Sequence, residues 1–522
     1  MVNQTITIQY WNGSSWSYLA SFNGNFAQFT EVSFGLNSAW ARFGTNSVRA
    51  VTGTCASGAA TFSVVQDSNA TLVDVGTYAL LVSFVFLFFL TGKWLGWARF
   101  VFVAGAVYLA ISPFTGQRYD VYFLLSSGIR LLQHVNPFDP GNPPIYPSPL
   151  KWAYPPAYAV YSAFSFLVYQ ILTGASLPSV SALTWPGWLT STYNVFLAFV
   201  PQTLPVLVFI LKLPMVASAL LTGWLLRRMT GKDLVGIAWL ANPLVILVAA
   251  AWGQLDPIAT LFAVGAIYYF QRGKEYHAYL LSSVGAAVKI WPVLLIPIML
   301  TISLRKNGAR AVKPLVAILP ALLVTVALYA AFANPLQSLF VLIYARGIPT
   351  FAGAFSVNGL TWQQILFAMN SPPIPLFLYL GIPLYALMMC WVYWKRDDDL
   401  VKWAVVSILI FFLTYNYVNP QYFYWILPLL LLQRKRLQYA LFTALPLLVL
   451  APTYNIFYFV SPSILPNEFA FGASIVEQLK LNMVYQTTWL FVLLLGIIPT
   501  ICYLGLLFSE IRSEKRPRAS IP

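Results

Sequence analysis

The sequence predicts an all-α polytopic membrane protein with about 13 transmembrane helices and a small β-sandwich domain at its N-terminus. Of the 522 residues, 59% are hydrophobic and only 9% are charged. Apolar runs of about 20 residues, each long enough to cross a hydrocarbon core of about 30 Å, recur along the chain. Basic clusters occupy alternate connections between these runs, as in cytoplasmic loops. The net charge of +15 therefore reflects membrane topology, and no nucleic-acid partner is expected.

Residues 1–74 differ from the rest of the chain because they are rich in Ser, Thr, Asn and Gly. Two runs of alternating character, Thr5–Trp11 and Ser14–Leu19, flank the dipeptide Asn12-Gly13, which is a turn signal between strands. Further runs with strand character follow. This pattern predicts an Ig-like β-sandwich domain over residues 1–74.

Residues 75–511 form the predicted membrane domain, and residues 512–522 form a basic cytoplasmic tail. An odd number of spans places the N-terminal domain outside the cell membrane and the C-terminus inside. The apolar segment 155–200 contains either two further spans or a helix in the outer interface, since parity forbids a single span. The predicted spans lie near 75–92, 98–114, 203–226, 233–252, 256–271, 277–290, 291–304, 312–333, 373–394, 400–417, 420–433, 437–452 and 486–508.

Several predicted spans are too short to cross the bilayer alone. Segments 277–290 and 291–304 each reach only ~21 Å as a helix, less than the hydrocarbon core requires. Their junction at Lys289–Pro292 is therefore expected below the outer surface, and the segment 420–433 is short in the same way. Charged and polar residues at such a depth are tolerated where they face water. The short spans therefore predict an outward-opening cavity lined by polar groups.

Asp120 follows the second predicted span, in the segment Gln117–Tyr122. A carboxylate beside a bilayer costs free energy, which makes it a functional candidate by default. The apolar stripe from Val121 to Leu132 predicts a short amphipathic helix at the interface. We expect Asp120 to act as a general base on an acceptor hydroxyl. The alternatives are a helix N-cap or an ion pair with Arg118.

Basic residues gather on the predicted outer side of the membrane domain, where they would stabilise negative charge on a departing phosphate. For Lys289, the alternative is that its amine snorkels to the headgroups. The three cysteines and two histidines have no metal-ligand spacing. The outer cations are Arg118, Arg130, Lys151, Lys289 and Arg346.

Several segments together resemble GT-C glycosyltransferases, which use polyprenyl-phosphate sugars as donors. The resemblance covers roughly residues 75–435, and it follows the order of segments in that family. The segment Pro420–Trp425 is similar to one in the mannosyltransferase that adds the first mannose to glycosylphosphatidylinositol, and to bacterial mannosyltransferases of phosphatidylinositol mannoside synthesis. The other segments are Arg118–Tyr122, Asn136–Asp139, Tyr154–Pro156, Ala251–Asp256 and Val288–Pro292.

The resemblance implies an inverting hexosyltransferase, with mannose the favoured sugar, in which Asp120 matches the catalytic loop aspartate. The partners implied are a polyprenyl-phosphate sugar donor, a lipid-linked or surface glycan acceptor, and membrane lipids. Only one acid stands where some members have Asp-x-Asp, so no cofactor is assigned, and a divalent metal is compatible with the segment but not indicated by it. The phosphate-binding residues implied are Lys289, Arg346 and Arg118, and the substrate-binding residues are Tyr154, Gln254, Asp256, Gln421 and Tyr422.

Two other functions are compatible with the same features. A transporter or flippase for a lipid-linked glycan would also need a cationic cavity, but would not depend on one outer carboxylate. Internal repeats would favour a transporter, and none is evident. A glycan-anchoring scaffold is the third possibility, and the polar groups along the short spans argue against it.

Overall fold

The computed structural model describes the backbone of most of the membrane domain and part of the N-terminal domain. In the strands, at Arg118 and at several other helical residues (119, 122, 123, 126, 204, 332 and 448–453), only the backbone is described. The predicted site residues Tyr154 and Arg346 lie outside the described residues, as does Lys151. The described ranges are 4–11, 16–24, 44–52, 55–56, 60–64, 88, 90–92, 94–116, 118–135, 155–176, 203–332, 360–362, 365, 376–415, 418–453 and 496–512.

The N-terminal strands form one antiparallel sheet in the order β2-β1-β3-β4, with β5 also pairing with β3. The two strands predicted on either side of Asn12-Gly13 pair antiparallel, with Trp11 in register with Trp16, and the turn itself lies outside the described residues. A second sheet is not among the described residues, so the sandwich stays a prediction. The strands are β1 (Gln4–Trp11), β2 (Trp16–Gly24), β3 (Gly44–Thr52), β4 (Cys55–Ala56) and β5 (Ala60–Val64).

The rest of the described chain is helical. Segments with π-helical hydrogen bonding lie at Leu247–Trp252 and Phe377–Gly381, and 3-10 segments lie at Trp291–Leu294, Gly308–Ile318 and Pro420–Tyr422. The α-helices are α1 (Trp97–Ile111), α2 (Arg118–Leu132), α3 (Ala157–Thr173), α4 (Leu204–Thr230), α5 (Asp233–Leu240), α6 (Pro243–Ile246), α7 (Asp256–Gln271), α8 (Glu275–Val288), α9 (Leu295–Asn307), α10 (Leu319–Phe332), α11 (Ile382–Lys395), α12 (Leu400–Thr414), α13 (Phe423–Leu432), α14 (Arg436–Thr453) and α15 (Ile498–Arg512).

Three helical runs in the described residues are long and apolar enough to cross a membrane: Pro205–Thr230, Trp291–Ala331 and Phe377–Lys395. A bent pair, Asp233–Leu240 with Pro243–Trp252, makes a fourth if it counts as one span. Shorter apolar helices, among them α1, α3 and α12, accompany these runs. This composition is that of a helical membrane protein. The number of spans and their orientation remain predictions.

Three predicted spans differ from the structure in their continuity. The segment 233–252 was expected to be one straight span, but it bends by 56° between α5 and α6. The bend has a local cause, because Asn242 caps α6 by accepting hydrogen bonds from the backbone N–H groups of Leu244 and Val245, and Pro243 follows it. The segments 291–304 and 312–333, expected to be separate spans, join in one helical run of 41 residues, Trp291–Ala331, through a 3-10 segment.

The predicted break between 277–290 and 291–304 is confirmed. Helix α8 ends at Val288, and Lys289 has extended backbone angles, φ −151° and ψ 132°. The 3-10 segment Trp291–Leu294 follows, with Pro292 unable to supply a backbone N–H. A second break lies at Asn419, which is also extended and precedes the 3-10 segment Pro420–Tyr422. Both breaks place polar residues inside the helical bundle.

The predicted amphipathic helix is present as α2, and its apolar stripe is buried. Val121 and Leu125 on this stripe pack in a core with Phe166 of α3 and Leu211 of α4. Gly128 lies at the closest approach of α2 and α3, where a Cβ atom would be 2.5 Å from Ser162 Oγ. The small residue at position 128 is therefore what allows α2 to lie against α3.

Replacing Gly128 by Ala should destabilise the protein, because the added Cβ would also lie 2.7 Å from the Ala163 backbone nitrogen. We expect a loss of about 1–3 kcal/mol in the free energy of unfolding, the usual cost of overpacking. The matched control is Gly505→Ala in α15, where a Cβ meets nothing within 4 Å. Helix propensity favours Ala over Gly at both positions, so the difference between the two stability changes reports the packing at Gly128. Thermal unfolding in detergent measures both variants, and equal stabilities would contradict the contact.

Candidate functional site

Asp120 lies in the first turn of α2, and its carboxylate is bound by an indole. Oδ2 accepts a hydrogen bond of 2.6 Å from Trp252 Nε1. Trp252 is fully buried at the end of the π-helical segment Leu247–Trp252, and Gly253 ends that segment with φ +83°. The Asp120 side chain is itself partly exposed. This hydrogen bond fixes the carboxylate in a residue that is not fully buried.

Burial raises the pKa of the Asp120 carboxyl above its ordinary value of 3.8. Three neighbours oppose this effect and lower the pKa: the hydrogen bond from Trp252, the charge of Lys289, and Gln254. The negative charge of Asp256 raises it further. The balance favours a carboxyl that titrates closer to neutral pH than an ordinary aspartate, and a general base near its working pH needs this property.

A second carboxylate, that of Asp256, is completely buried at the start of α7. Its Oδ2 accepts a hydrogen bond of 2.5 Å from Lys289 Nζ, and its Oδ1 accepts one from Trp425 Nε1. A buried ion pair is tolerated only when further hydrogen bonds satisfy its members, and the indole provides one. Asp256 therefore holds both Lys289 and Trp425 in place.

Lys289 does not snorkel, because its side chain is only 9% exposed and its amine lies beside Asp256. Nζ also lies over two aromatic rings, 5.2 Å from the centroid of Tyr422 and 5.8 Å from that of Trp425. Such cation–π contacts stabilise an ammonium that has been removed from water. The extended backbone at position 289 directs the residue into this cluster between two short helices.

Stacked aromatic rings join the two helix breaks. Trp425 stacks on Trp291 at 5.5 Å with 12° between the planes, and on Tyr422 at 4.3 Å with 21°. All three side chains are buried. The stack connects the segment after Lys289 to the segment after Asn419, so the two breaks form one structure.

Two buried amides have an atom without a hydrogen-bond partner among the described residues. These atoms are Gln254 Nε2, a donor, and Gln421 Oε1, an acceptor, and each residue is 4% exposed. Gln254 Nε2 makes no hydrogen bond of ordinary geometry, but the side chain acts on Asp120 as a weak donor and lowers the pKa of its carboxyl. A buried polar atom without a partner costs free energy, and a ligand hydroxyl would recover that cost.

The structure brings together Asp120, Gln254, Asp256, Lys289 and Tyr422, five of the residues selected from the sequence. Gln421 directly precedes Tyr422 in the same 3-10 segment. Nothing described bears on the side chain of Arg118, and Arg346 and Tyr154 lie outside the described residues.

The described cluster includes Asp256, a member of the substrate-binding set chosen from the sequence, beside Asp120. It contains two carboxylates, Asp120 and Asp256, and one ammonium, that of Lys289. Of the other predicted cations, Arg130 is described and buried on α2. The sequence alone could not show that Asp256 neutralises Lys289, because the two residues are 33 positions apart.

The sequence analysis missed three residues of the cluster. Trp252 and Trp425 lie within the selected segments but were not themselves singled out. Lys212 lies in the apolar run of α4, and its ammonium is fully buried. Its signal was present in the sequence, since a lysine within a span is a functional candidate by default.

No group of three or more metal-ligating side chains occurs among the residues that the structure describes. No family model matches the sequence, and no curated protein matches it. Functional assignment therefore rests on the chain's own segments and on the geometry of this cluster.

Breaking the Asp256–Lys289 pair on one side should be more destabilising than removing both charges. Asp256→Asn leaves a buried ammonium and Lys289→Met leaves a buried carboxylate, each at a cost of about 3–5 kcal/mol. The free energy of unfolding of the double variant should fall by less than the sum of the two single losses. Denaturant unfolding in detergent measures the coupling.

The control for this cycle is the Arg227–Asp233 pair, whose side chains are 40% and 49% exposed. Asp233→Asn should cost at most about 1 kcal/mol, since solvent screens an exposed pair. Strictly additive losses at Asp256 and Lys289 would contradict the buried pair.

Proposed function

We propose that this protein is a membrane glycosyltransferase that resembles the GT-C enzymes. It moves a hexose, with mannose favoured by the segment Pro420–Trp425, from a polyprenyl phosphate to a lipid-linked or surface glycan on the outer face of the membrane. The observation that carries the proposal is the Asp120 carboxylate, which is partly exposed, bound by Trp252, and raised in pKa by burial.

In the proposed reaction, the Asp120 carboxylate accepts the proton of an acceptor hydroxyl. The hydroxyl oxygen attacks the anomeric carbon of the donor sugar as the bond from that carbon to the phosphate oxygen breaks. The phosphate leaves with the bonding electron pair, and attack from the opposite face inverts the anomeric centre. The products are the extended glycan and the polyprenyl phosphate, with the proton on Asp120.

The leaving phosphate gains negative charge and needs cations beside it. The described cluster has two acidic side chains and only one basic side chain, so further cations are required. Lys289 supplies one cation, oriented by Asp256 and the rings of Tyr422 and Trp425. Arg118 and Arg346 supply the rest in this proposal. Cations fixed before the reaction stabilise the developing charge without reorganisation.

The sugar hydroxyls bind the amides of Gln254 and Gln421 in this proposal. Gln421 Oε1 is a buried acceptor without a partner among the described residues, and Gln254 Nε2 is a buried donor that makes no hydrogen bond of ordinary geometry and lies near Asp120. A sugar hydroxyl both donates and accepts, so it satisfies the two kinds of atom. Tyr154 and Tyr422 complete the substrate-binding set, and the fully buried Asp256, chosen from the sequence for the same set, acts in this proposal through Lys289, which it holds.

The membrane arrangement in this proposal has about 13 spans, with the Ig-like β-sandwich outside and the basic C-terminus in the cytoplasm. The apolar helices of the described residues support a membrane location. The antiparallel sheet of β1–β5 supports a β domain at the N-terminus.

Asp120→Asn should abolish most of the transfer and leave donor binding intact. An amide has nearly the shape of the carboxylate but cannot accept the proton, so we expect the rate to fall by roughly 100- to 10,000-fold. Membranes containing the variant are given labelled polyprenyl-phosphate mannose, and transfer and binding are measured separately.

Asp233→Asn, an exposed carboxylate in an ion pair with Arg227, should leave the rate unchanged. Undiminished transfer by the Asp120 variant would remove the general-base role. Movement of a lipid-linked glycan across the membrane without any transfer would favour a flippase.

The rate of transfer should fall as the pH is lowered, and this fall (the acid limb of the pH–rate profile) should lie at a higher pH than an ordinary aspartate would give. The active form has Asp120 ionised, and burial raises its pKa, so activity is present above that pKa and is lost as pH falls through it. Trp252→Phe removes a hydrogen bond that lowers this pKa, so the limb should move to still higher pH.

The control is Trp239→Phe, since Trp239 is equally buried but donates to the Ala219 carbonyl instead of a carboxylate. This variant should leave the acid limb where it is. A limb that Trp252→Phe does not move, or moves to lower pH, would contradict the role of the hydrogen bond.

A further inference from the structure

Lys212 is a fully buried lysine in the middle of α4, the longest described α-helix. Its Nζ donates to three backbone carbonyls: Thr115 at 2.5 Å, Ala250 at 2.9 Å and Ala251 at 3.0 Å. A lysine amine in its protonated form has three N–H donors, the same number as the carbonyls that Nζ contacts. No carboxylate pairs with it among the described residues.

Two of these carbonyls lie near the end of the π-helical segment Leu247–Trp252. The last carbonyls of a helix have no N–H partner within it, and a buried helix end needs donors from elsewhere. Gly253 and Gln254 both donate to the Val248 carbonyl, so their N–H groups do not serve Ala250 or Ala251. Lys212 provides those donors and thereby fixes the position of the segment's end.

The third carbonyl lies just before α2, five positions ahead of Asp120. Lys212 therefore contacts the chain on both sides of the hydrogen bond between Asp120 and Trp252. Its aliphatic stem lies against Gly253, where a Cβ atom would be 2.8 Å from Lys212 Cε. One side chain thus joins the segment that carries the carboxylate to the segment that carries its indole donor.

A residue that only filled space in α4 would not need an amine. Burying an ammonium is expensive, and an apolar side chain in its place would avoid that cost in a span. Direct contact with substrate is excluded, because the amine is fully buried and is bound by three carbonyls. Unlike an apolar residue, Lys212 can donate hydrogen bonds, and these bonds join Thr115 to the end of the π-helical segment (called the link below).

We propose that Lys212 is a positioning residue that holds Asp120 and Trp252 at hydrogen-bonding distance by binding Thr115, Ala250 and Ala251 together. Its consequence for catalysis rests on the proposed glycosyl transfer. The link itself does not, because it exists in the protein without substrate.

The first test measures the link without using activity. Hydrogen exchange of the full chain in detergent is compared between the natural protein and Lys212→Met. Exchange should become faster in the segments 112–122 and 247–256 and stay unchanged in α12 and α13. The matched control is Thr222→Val, which removes another fully buried polar group of α4 that bonds within its own helix to Ser218. Unchanged exchange in both segments, or faster exchange everywhere, would overturn the link.

The second test measures transfer from labelled polyprenyl-phosphate mannose. Lys212→Met should lower kcat by roughly 10- to 100-fold, since displacing a reacting group by about 1 Å costs up to about 100-fold, and should leave the donor KM unchanged. Its acid limb should move to higher pH, as in Trp252→Phe, because both changes weaken the bond that lowers the pKa of Asp120. Combining the two changes should move the limb no further. The other charges near Asp120, those of Lys289 and Asp256, stay in place.

The outcomes separate this inference from the proposed function. Suppose that the natural protein carries out transfer, and that Lys212→Met changes neither the hydrogen exchange nor the acid limb of the pH–rate profile. This result overturns the role of Lys212 and leaves the proposed function intact. Absence of transfer in the natural protein overturns the proposed function, while exchange still decides the link. If Lys212→Met does not fold, Lys212→Gln is measured in its place, and its shorter amide should give the same directions of change.

Discussion

Two indole N–H groups hold the two carboxylates on which the candidate site depends. Trp252 donates to Asp120, and Trp425 donates to Asp256. A carboxylate inside an apolar helical bundle is stable only when donors replace the water that it has lost. An indole supplies one N–H without adding charge, and its ring packs in the core. The two acids differ in what else they bind. Asp256 is compensated by Lys289 at 2.5 Å, whereas Asp120 is partly exposed and its pKa is raised by burial. Asp256 can therefore stabilise the structure, while Asp120 is suited to exchange a proton.

These contacts lie where the helices stop being regular. Trp252 ends a π-helical segment, Lys289 lies in an extended break, and Tyr422 lies in a 3-10 segment. Irregular backbone inside a bundle frees polar groups that a continuous helix would use for itself, and such segments often occur at functional sites. The stack of Trp291, Trp425 and Tyr422 joins two of the breaks, and Lys212 caps the end of the π-helical segment. Side chains from distant parts of the sequence thereby form one rigid cluster.

The sequence was sufficient for features with a local cause. The apolar stripe of α2 follows from helical periodicity, the break at Lys289 follows from span length and Pro292, and the strands β1 and β2 follow from alternating residues. Pairings between distant residues were not predictable, because they depend on how helices pack. The bond between Asp256 and Lys289 and the three carbonyls around Lys212 are of this kind. The selection of Asp120, Gln254 and Lys289 from separate segments nevertheless identified residues that lie together, since family-like segments mark positions without showing their contacts.

The most direct test of the account is the structure of the full chain with a bound polyprenyl-phosphate mannose, determined by cryo-electron microscopy. The account predicts the sugar against Asp120 and Gln254, with its anomeric carbon placed so that an acceptor hydroxyl can approach the Asp120 carboxylate to about 2.6–3.2 Å. It also predicts the phosphate on the far side of the sugar from Asp120. A donor headgroup bound elsewhere, or a sugar separated from Asp120 by intact protein, would contradict the account.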